Sequence, residues 1–118
     1  MTHQRGDVLL VRFPFSSGAA AKIRPALVVQ SDHNNARLAN IIVAAITTTT
    51  HRSGEATQFL VEAATPAGRQ AGLLHDTVLT CENLATLEQR LVLRKIGSLP
   101  ADAMRQIDDC LKAALGIA

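Results

Sequence analysis

Arg24 stands at the head of an apolar run, IRPALVV (residues 23–29), and Thr47 stands where a second run, IIVAAIT (residues 41–47), passes into TTT. A guanidinium presents several N–H donors in a planar fork and stays cationic at any working pH, so it suits a phosphate or a carboxylate. A threonine hydroxyl adds one more donor but is too weak an acid to move a proton unaided. Proton transfer at neutral pH would fall more naturally to a histidine, and the chain has four, His3, His33, His51 and His75.

Plainer readings stand beside these. Arg24 could close an ion pair with Asp7 or Glu82, and Thr47 to Thr50 fit an edge strand on β propensity alone. His51 shares a face with Thr47 and Thr49 if the strand runs on that far; otherwise it is an exposed loop residue beside Arg52 and Ser53. Asp32, Asn34 and Asn35 read first as turn caps bonding to backbone, and only second as substrate contacts.

The elements that must carry these side chains are short. GDVLLVRF (6–13) reads as a strand closed by Pro14, and RPALVVQS (24–31) as a second, with Pro25 tolerated near its start. Residues 32–40 form a polar connection with room for one helical turn, and 41–50 is the most strand-like run, leaving the core at Thr47. TQFLVEA (57–63) predicts a fourth strand, ATPAGRQAG (64–72) a turn region, and DTVLTCENLATL (76–87) and RLVLRKIGSL (90–99) later strands. After Pro100, Met104, Ile107, Leu111 and Leu115 recur at three- and four-residue steps, with Asp102 in the first turn and Gly116 as a stop, which predicts a helix. Short strands followed by one terminal helix predict a mainly β fold, a small antiparallel barrel in one domain over residues 1–118.

Composition narrows the classes. The chain is 47% hydrophobic with three Phe and neither Trp nor Tyr, so the core is aliphatic. A formal net charge of +2 permits a nucleic-acid partner without arguing for one. Cys81 and Cys110 lie far apart without a CxxC pair, which predicts two reduced, buried thiols and neither a zinc site nor a disulfide framework. The start lacks the layout of a signal peptide and no apolar run approaches the ~20 residues of a membrane helix, so no membrane association and a cytoplasmic location are expected.

Taken in order, RGDVLLVRF, IRPALVVQSD, IIVAAITT, AGLLHDTVL, ENLATL and LRKIGSLP with the amphipathic tail resemble the MazF/PemK (Kid-like) family of toxin endoribonucleases. The resemblance runs from about Arg5 to Ile117 and is most specific in the RPALVV box and the VAAIT strand end. It implies an SH3-like barrel with a C-terminal helix, usually a homodimer. It implies further a metal- and cofactor-independent cut in single-stranded RNA, often at short specific sequences, leaving 2′,3′-cyclic phosphate and 5′-hydroxyl ends. A cognate antitoxin, expected to be an acidic and partly disordered segment, would hold such a toxin inactive, and release would arrest growth by blocking translation.

In the family's motif the arginine of the RP box and the threonine closing the AIT strand are the catalytic pair, which falls here on Arg24 and Thr47. RNA contacts are expected from Ser16, Ser17 and Lys22 in the first connection, and from Asn34, Thr48 and His51. His33 could stack on a base or sit in a solvent-facing turn. None of the four histidines lies in a family motif, so the proton donor is open. Two departures bear on activity: the first connection lacks any Asp or Glu, where some relatives place a carboxylate, and Ala85 occupies a position where a basic residue is frequent. Two other readings are a non-catalytic binding toxin on the same barrel, such as one directed at gyrase, and a degenerate member that no longer cuts.

Overall fold

A computed structural model describes residues 2–14 and 22–118. Strand β1 (Asp7–Phe13) pairs with β2 (Lys22–Val28), and β2 with β3 (Asn40–Thr47). The short helix α1 (Asp32–Arg37) lies between β2 and β3, its Asn34 N–H donating to the Ser31 hydroxyl that caps it. Strand β4 (Gln58–Val61), helix α2 (Pro66–Gln70), the long strand β5 (Thr77–Glu88), strand β6 (Arg94–Ser98) and helix α3 (Ala101–Leu115) complete the chain.

The six strands form one antiparallel sheet in the order β4-β5-β3-β2-β1-β6, curled into a half-barrel, in agreement with the expected small barrel and terminal helix. The β3–β5 ladder is broken once. Ala44 lies opposite Leu84 but Ala45 lies opposite Thr80, so residues 81–83 bulge out of register and bend β5.

Alternation along the strands builds two apolar clusters on opposite faces. One gathers Val8, Leu27, Ile46, Leu79 and Cys81 beneath α3, which contributes Ala103, Ile107 and Cys110. The other gathers Leu9, Val11, Phe13, Ala26, Val28, Ile41 and Val43. The buried stripe of α3 therefore differs from the expected one: Ile107 is central, Met104 and Leu111 flank it, and Leu115 is exposed. Ala103 and Cys110, small enough to let the helix approach closely, take the core positions instead. Arg5 ties this helix to the rest, with Nη2 at 2.7 Å from the Asp108 carboxylate and Nε donating to the Val29 carbonyl.

Several predicted boundaries change: the second strand runs over Lys22–Val28, which takes Lys22 out of the first connection, and the fourth shortens to Gln58–Val61. Residues 66–70 are helical, because Thr65 caps the Gly68 N–H and Pro66 occupies the first helical turn, where its missing N–H costs nothing. The last strand shrinks to Arg94–Ser98, preceded by a 3-10 turn at Gln89–Leu91. Strand β3 ends at Thr47, so Thr49 and His51 do not continue its face. Both cysteines are free and buried, as expected, and burial, with the Cys110 thiol beside it, pushes the Cys81 thiol up to about 12. Among the described residues no helix is long and apolar enough to cross a membrane.

Candidate active site

On β2, Arg24 follows Ala26 and Val28 by steps of two, and on β3, Thr47 follows Ile41, Val43 and Ala45 in the same way. The two therefore emerge on the same side, the face opposite α3. The β2–β3 register pairs Ala26 with Ala45, and two residues further along the same register Arg24 falls across from Thr47. Apolar residues fix the two strands, and the polar pair is what remains where they leave the core.

Neither ion pair considered for Arg24 forms. Asp7 is buried and taken by Lys95 at 3.2 Å and by the Gln4 N–H, while Glu82 is taken by Arg52. Arg24 is exposed, and its one hydrogen bond among the described residues is a long one, Nη1 to the Ile23 carbonyl at 3.4 Å. Its fork is open to an anion from solvent. The Thr47 hydroxyl accepts the Thr49 N–H at 3.1 Å, which fixes the side chain and leaves its own proton to donate.

Two hollows meet at this pair, sharing Arg24, Ile46 and Thr47. The larger, about 650 Å³, has apolar walls from Pro25, Leu73 and Ile96, and carries Thr48, His75 and Arg94. The smaller, about 250 Å³, is lined by Phe13, Thr80, Arg52, Glu82 and Asn83. A larger hollow, about 1030 Å³, lies elsewhere, between α1 and the start of β6, and contains neither Arg24 nor Thr47.

Two polar groups of the smaller hollow, Arg52 and Glu82, are already bound to each other and to neighbours behind the lining. Arg52 grips Glu55 through Nε and Nη2 and reaches both oxygens of Glu82 at 2.7 and 2.9 Å. Glu82 also accepts from the Thr57 hydroxyl and the Gln58 amide. The Arg52 hydrogen bond holds both carboxyls below their usual range, and Arg52 itself is raised by Glu55 and then Glu82. The β5 bulge is what delivers Glu82 and Asn83 to this hollow, and the Thr80 hydroxyl anchors its base by donating to the Ala45 carbonyl at 2.8 Å.

His75 reaches the larger hollow from a segment held at both ends. Gly72 has φ +74, and a Cβ there would run into the Ile96 carbonyl, so only glycine allows the chain to pass β6 at this point. Leu73 is buried and its N–H donates to the Gly68 carbonyl, while Asp76 accepts the Ala63 N–H at 2.8 Å just before β5 begins.

Of the residues expected to contact RNA, Thr48 lines the larger hollow and Lys22 lies on the Arg24 face of β2, two residues outward. Asn34 is on α1, where its side chain accepts from Arg37 Nε at 3.0 Å, and His51 is in the turn after β3; neither lines either hollow. Ser16 and Ser17 lie outside the described residues. The sequence offers His75 only as one of four candidate histidines, and gives no sign that Glu82, Asn83, Arg52 and Arg94 line the site, because the bulge and the anchored loop that bring them in leave no periodic trace. Ala85 is half-buried against the second cluster, so the position that is often basic is filled here by packing. Among the described residues no group of three or more His, Cys, Asp or Glu is placed to hold a metal ion.

A model of the PemK-like, MazF-like toxins of type II toxin–antitoxin systems matches residues 4–115. The chain belongs to this family. It is 32% identical over 105 residues to the protein named Endoribonuclease MazF2 of Mycobacterium bovis, covering 88% of each chain. Its fold is similar to that of Mycobacterium tuberculosis toxin MazF-mt6, with TM-score 0.76, 26% identity and coverage of 95% and 98% of the two chains. It is similar as well to a mycobacterial endoribonuclease solved in complex with its cognate antitoxin, with TM-score 0.77, 22% identity and coverage of 98% and 97%. A MazF/PemK-type chain thus keeps its half-barrel here, with an Arg–Thr pair where the sheet face opposite α3 leaves its apolar cluster.

Proposed function

We propose that residues 1–118 form one toxin domain that cuts single-stranded RNA at selected sequences without metal or cofactor, through attack of the ribose 2′-oxygen on the adjacent phosphorus. The products are 2′,3′-cyclic phosphate and 5′-hydroxyl ends. The observation that carries this reading is the open guanidinium of Arg24 across from the fixed hydroxyl of Thr47, at the junction of two hollows. Arg24 clamps the phosphate as charge builds in the transition state, and Thr47 donates to a second phosphate oxygen. The hollows take the nucleotides on either side of the cut, and Thr48 and Lys22 contact the strand beside it.

In the cytoplasm such cleavage blocks translation and arrests growth, and a cognate antitoxin, an acidic segment covering the RNA-binding face, restrains it. The working form is a homodimer. The deciding experiment is incubation of purified protein with a long single-stranded RNA in EDTA, beside Arg24→Ala and Thr47→Ala, with chemical analysis of the ends. Cyclic-phosphate products from the unaltered chain, lost in both folded variants, are expected. No cleavage of several diverse RNAs, or equal cleavage by all three proteins, overturns the reading.

A further inference from the structure

Attack and departure at phosphorus are in line, so the 2′-oxygen and the leaving 5′-oxygen lie on opposite sides of the phosphate. A protein that serves both must place one proton-transfer group on each side of the clamp. Arg24 and Thr47 are shared by both hollows, and each hollow adds one group of that kind, His75 in the larger and Glu82 in the smaller. Among the described residues His75 is the one histidine that lines either of them; His3 lines the distant hollow, and His33 and His51 line neither.

From this geometry we propose that His75 is the general acid of the cleavage reaction, a role that rests on the ribonuclease reading above. As the 2′-oxygen bonds to phosphorus, the P–O5′ bond breaks and the imidazolium of His75 gives its proton to the departing 5′-oxygen. The proton of the 2′-hydroxyl leaves on the other side, to the carboxylate of Glu82. Glu82 Oε1 is crowded by Arg52, Thr57 and Gln58, but Oε2 accepts from Arg52 alone and has room for the incoming proton. Neither a guanidinium nor a threonine hydroxyl is suited to the acid's task, since each gives up a proton too reluctantly.

Two observations favour a working side chain at position 75 over an idle loop histidine. The loop is anchored on both sides of it, through Gly72 and Leu73 before and Asp76 after, so the ring is carried by a fixed backbone. On the same wall the Thr77 hydroxyl is buried and has no hydrogen-bond partner among the described residues, a polar group unmatched until something enters the hollow. The charged groups around His75 are Arg24 from β2, Arg94 from β6 and its neighbour Asp76, whose carboxylate is occupied by the Ala63 N–H.

The test uses two matched RNAs, one ordinary and one with sulfur in place of the bridging 5′-oxygen at the cut. A thiolate departs without being protonated first, so a missing general acid no longer matters with the second RNA. His75→Ala and His75→Gln are expected to lower kcat/KM on ordinary RNA by about 10²-fold or more. On the sulfur-bridged RNA they come within a few-fold of the unaltered protein. Glu82→Gln, acting at the other bond, is expected to stay slow on both RNAs. The unaltered protein is expected to lose rate on ordinary RNA as pH rises, and that loss should be absent in the His75 variants. Undiminished cleavage by His75→Ala overturns the proposal, and so does an equal defect on both RNAs or sulfur rescue of Glu82→Gln. Absence of cleavage by the unaltered protein overturns the ribonuclease reading itself, and this one with it.

Discussion

The hollow that holds His75 and the hollow that holds Glu82 share three residues and differ in how their remaining polar groups are satisfied. In the smaller one Arg52 and Glu82 are bonded to each other, and from behind the lining to Glu55, Thr57 and Gln58, before any ligand arrives. In the larger one Arg94 and His75 make no side-chain hydrogen bond among the described residues, and the Thr77 hydroxyl is buried without a partner. A closed network gives a rigid edge against which a base can be matched, whereas open groups must be completed by the substrate. Two arginines in the smaller hollow make the same point: Arg52 is held by two carboxylates, and Arg24 makes no ion pair among the described residues.

Loss of the shared cation should have the largest effect, because it serves both sides. Arg24→Ala is expected to lower kcat/KM for RNA cleavage by roughly 10²–10³-fold. Its unfolding midpoint should move little, since the side chain is exposed and makes no ion pair among the described residues. Residual activity within tenfold of the unaltered protein would mean that the hollows are not two halves of one site. Thr47→Val keeps the shape and removes the hydroxyl; a loss of about 10–100-fold is expected, in line with one hydrogen bond to a charged group. A neutral result there would leave Arg24 as sole clamp.

The next substitution separates the hollows. Gly72→Ala strains the wall of the larger one, through the positive φ and the clash with Ile96, and should cost about 1–3 kcal/mol in urea unfolding. Gly54→Ala, where an added Cβ meets nothing within 4 Å, should stay within about 0.5 kcal/mol. Equal effects at the two glycines would remove the case for a rigid support under His75. Arg52→Ala should be the mildest, since the network is largely solvent-exposed. Glu55 and Glu82 have folded values held below 4.5, so their contribution is present above that value and is lost as pH falls through the lowered ones. The gap in urea midpoint between the unaltered protein and Arg52→Ala should therefore be small at pH 7 and close as pH falls below the ordinary carboxylate range.

How legible each part was follows from the range of the interactions that make it. Strands β1, β2 and β3 and helix α3 carry their own pattern, so VLLVRF, PALVV and IIVAAIT predict themselves, and the Arg24–Thr47 pair follows from where those patterns stop. Helix α2 left a signal that was outweighed: Thr65 and Pro66 are a cap and a first-turn proline, but Gly68 and Gly72 close behind them read as turn. On α3 the expected stripe holds at Ile107, with Met104 and Leu111 packed at its edge, but small size rather than hydropathy brings Ala103 and Cys110 inside where the helix lies close to β5, and Leu115 is left exposed. His75, Glu82 and Arg52 were the hardest. Arg52 and Glu82 are 30 residues apart, and their meeting depends on a bulge in β5 that no local pattern of residues announces.

That bulge also couples two parts of the molecule through the length of one short segment. Glu82 and Asn83 lie within residues 81–83, whereas Arg24 and Thr47 lie on β2 and β3, which pair with each other through residues 26–28 and 43–45 and meet β5 again at Thr80. On the proposed reading, a residue gained or lost at that bend would leave Arg24 and Thr47 facing each other and carry Glu82 away from them. The length of this segment is thus expected to be far less free to drift than that of an ordinary surface turn.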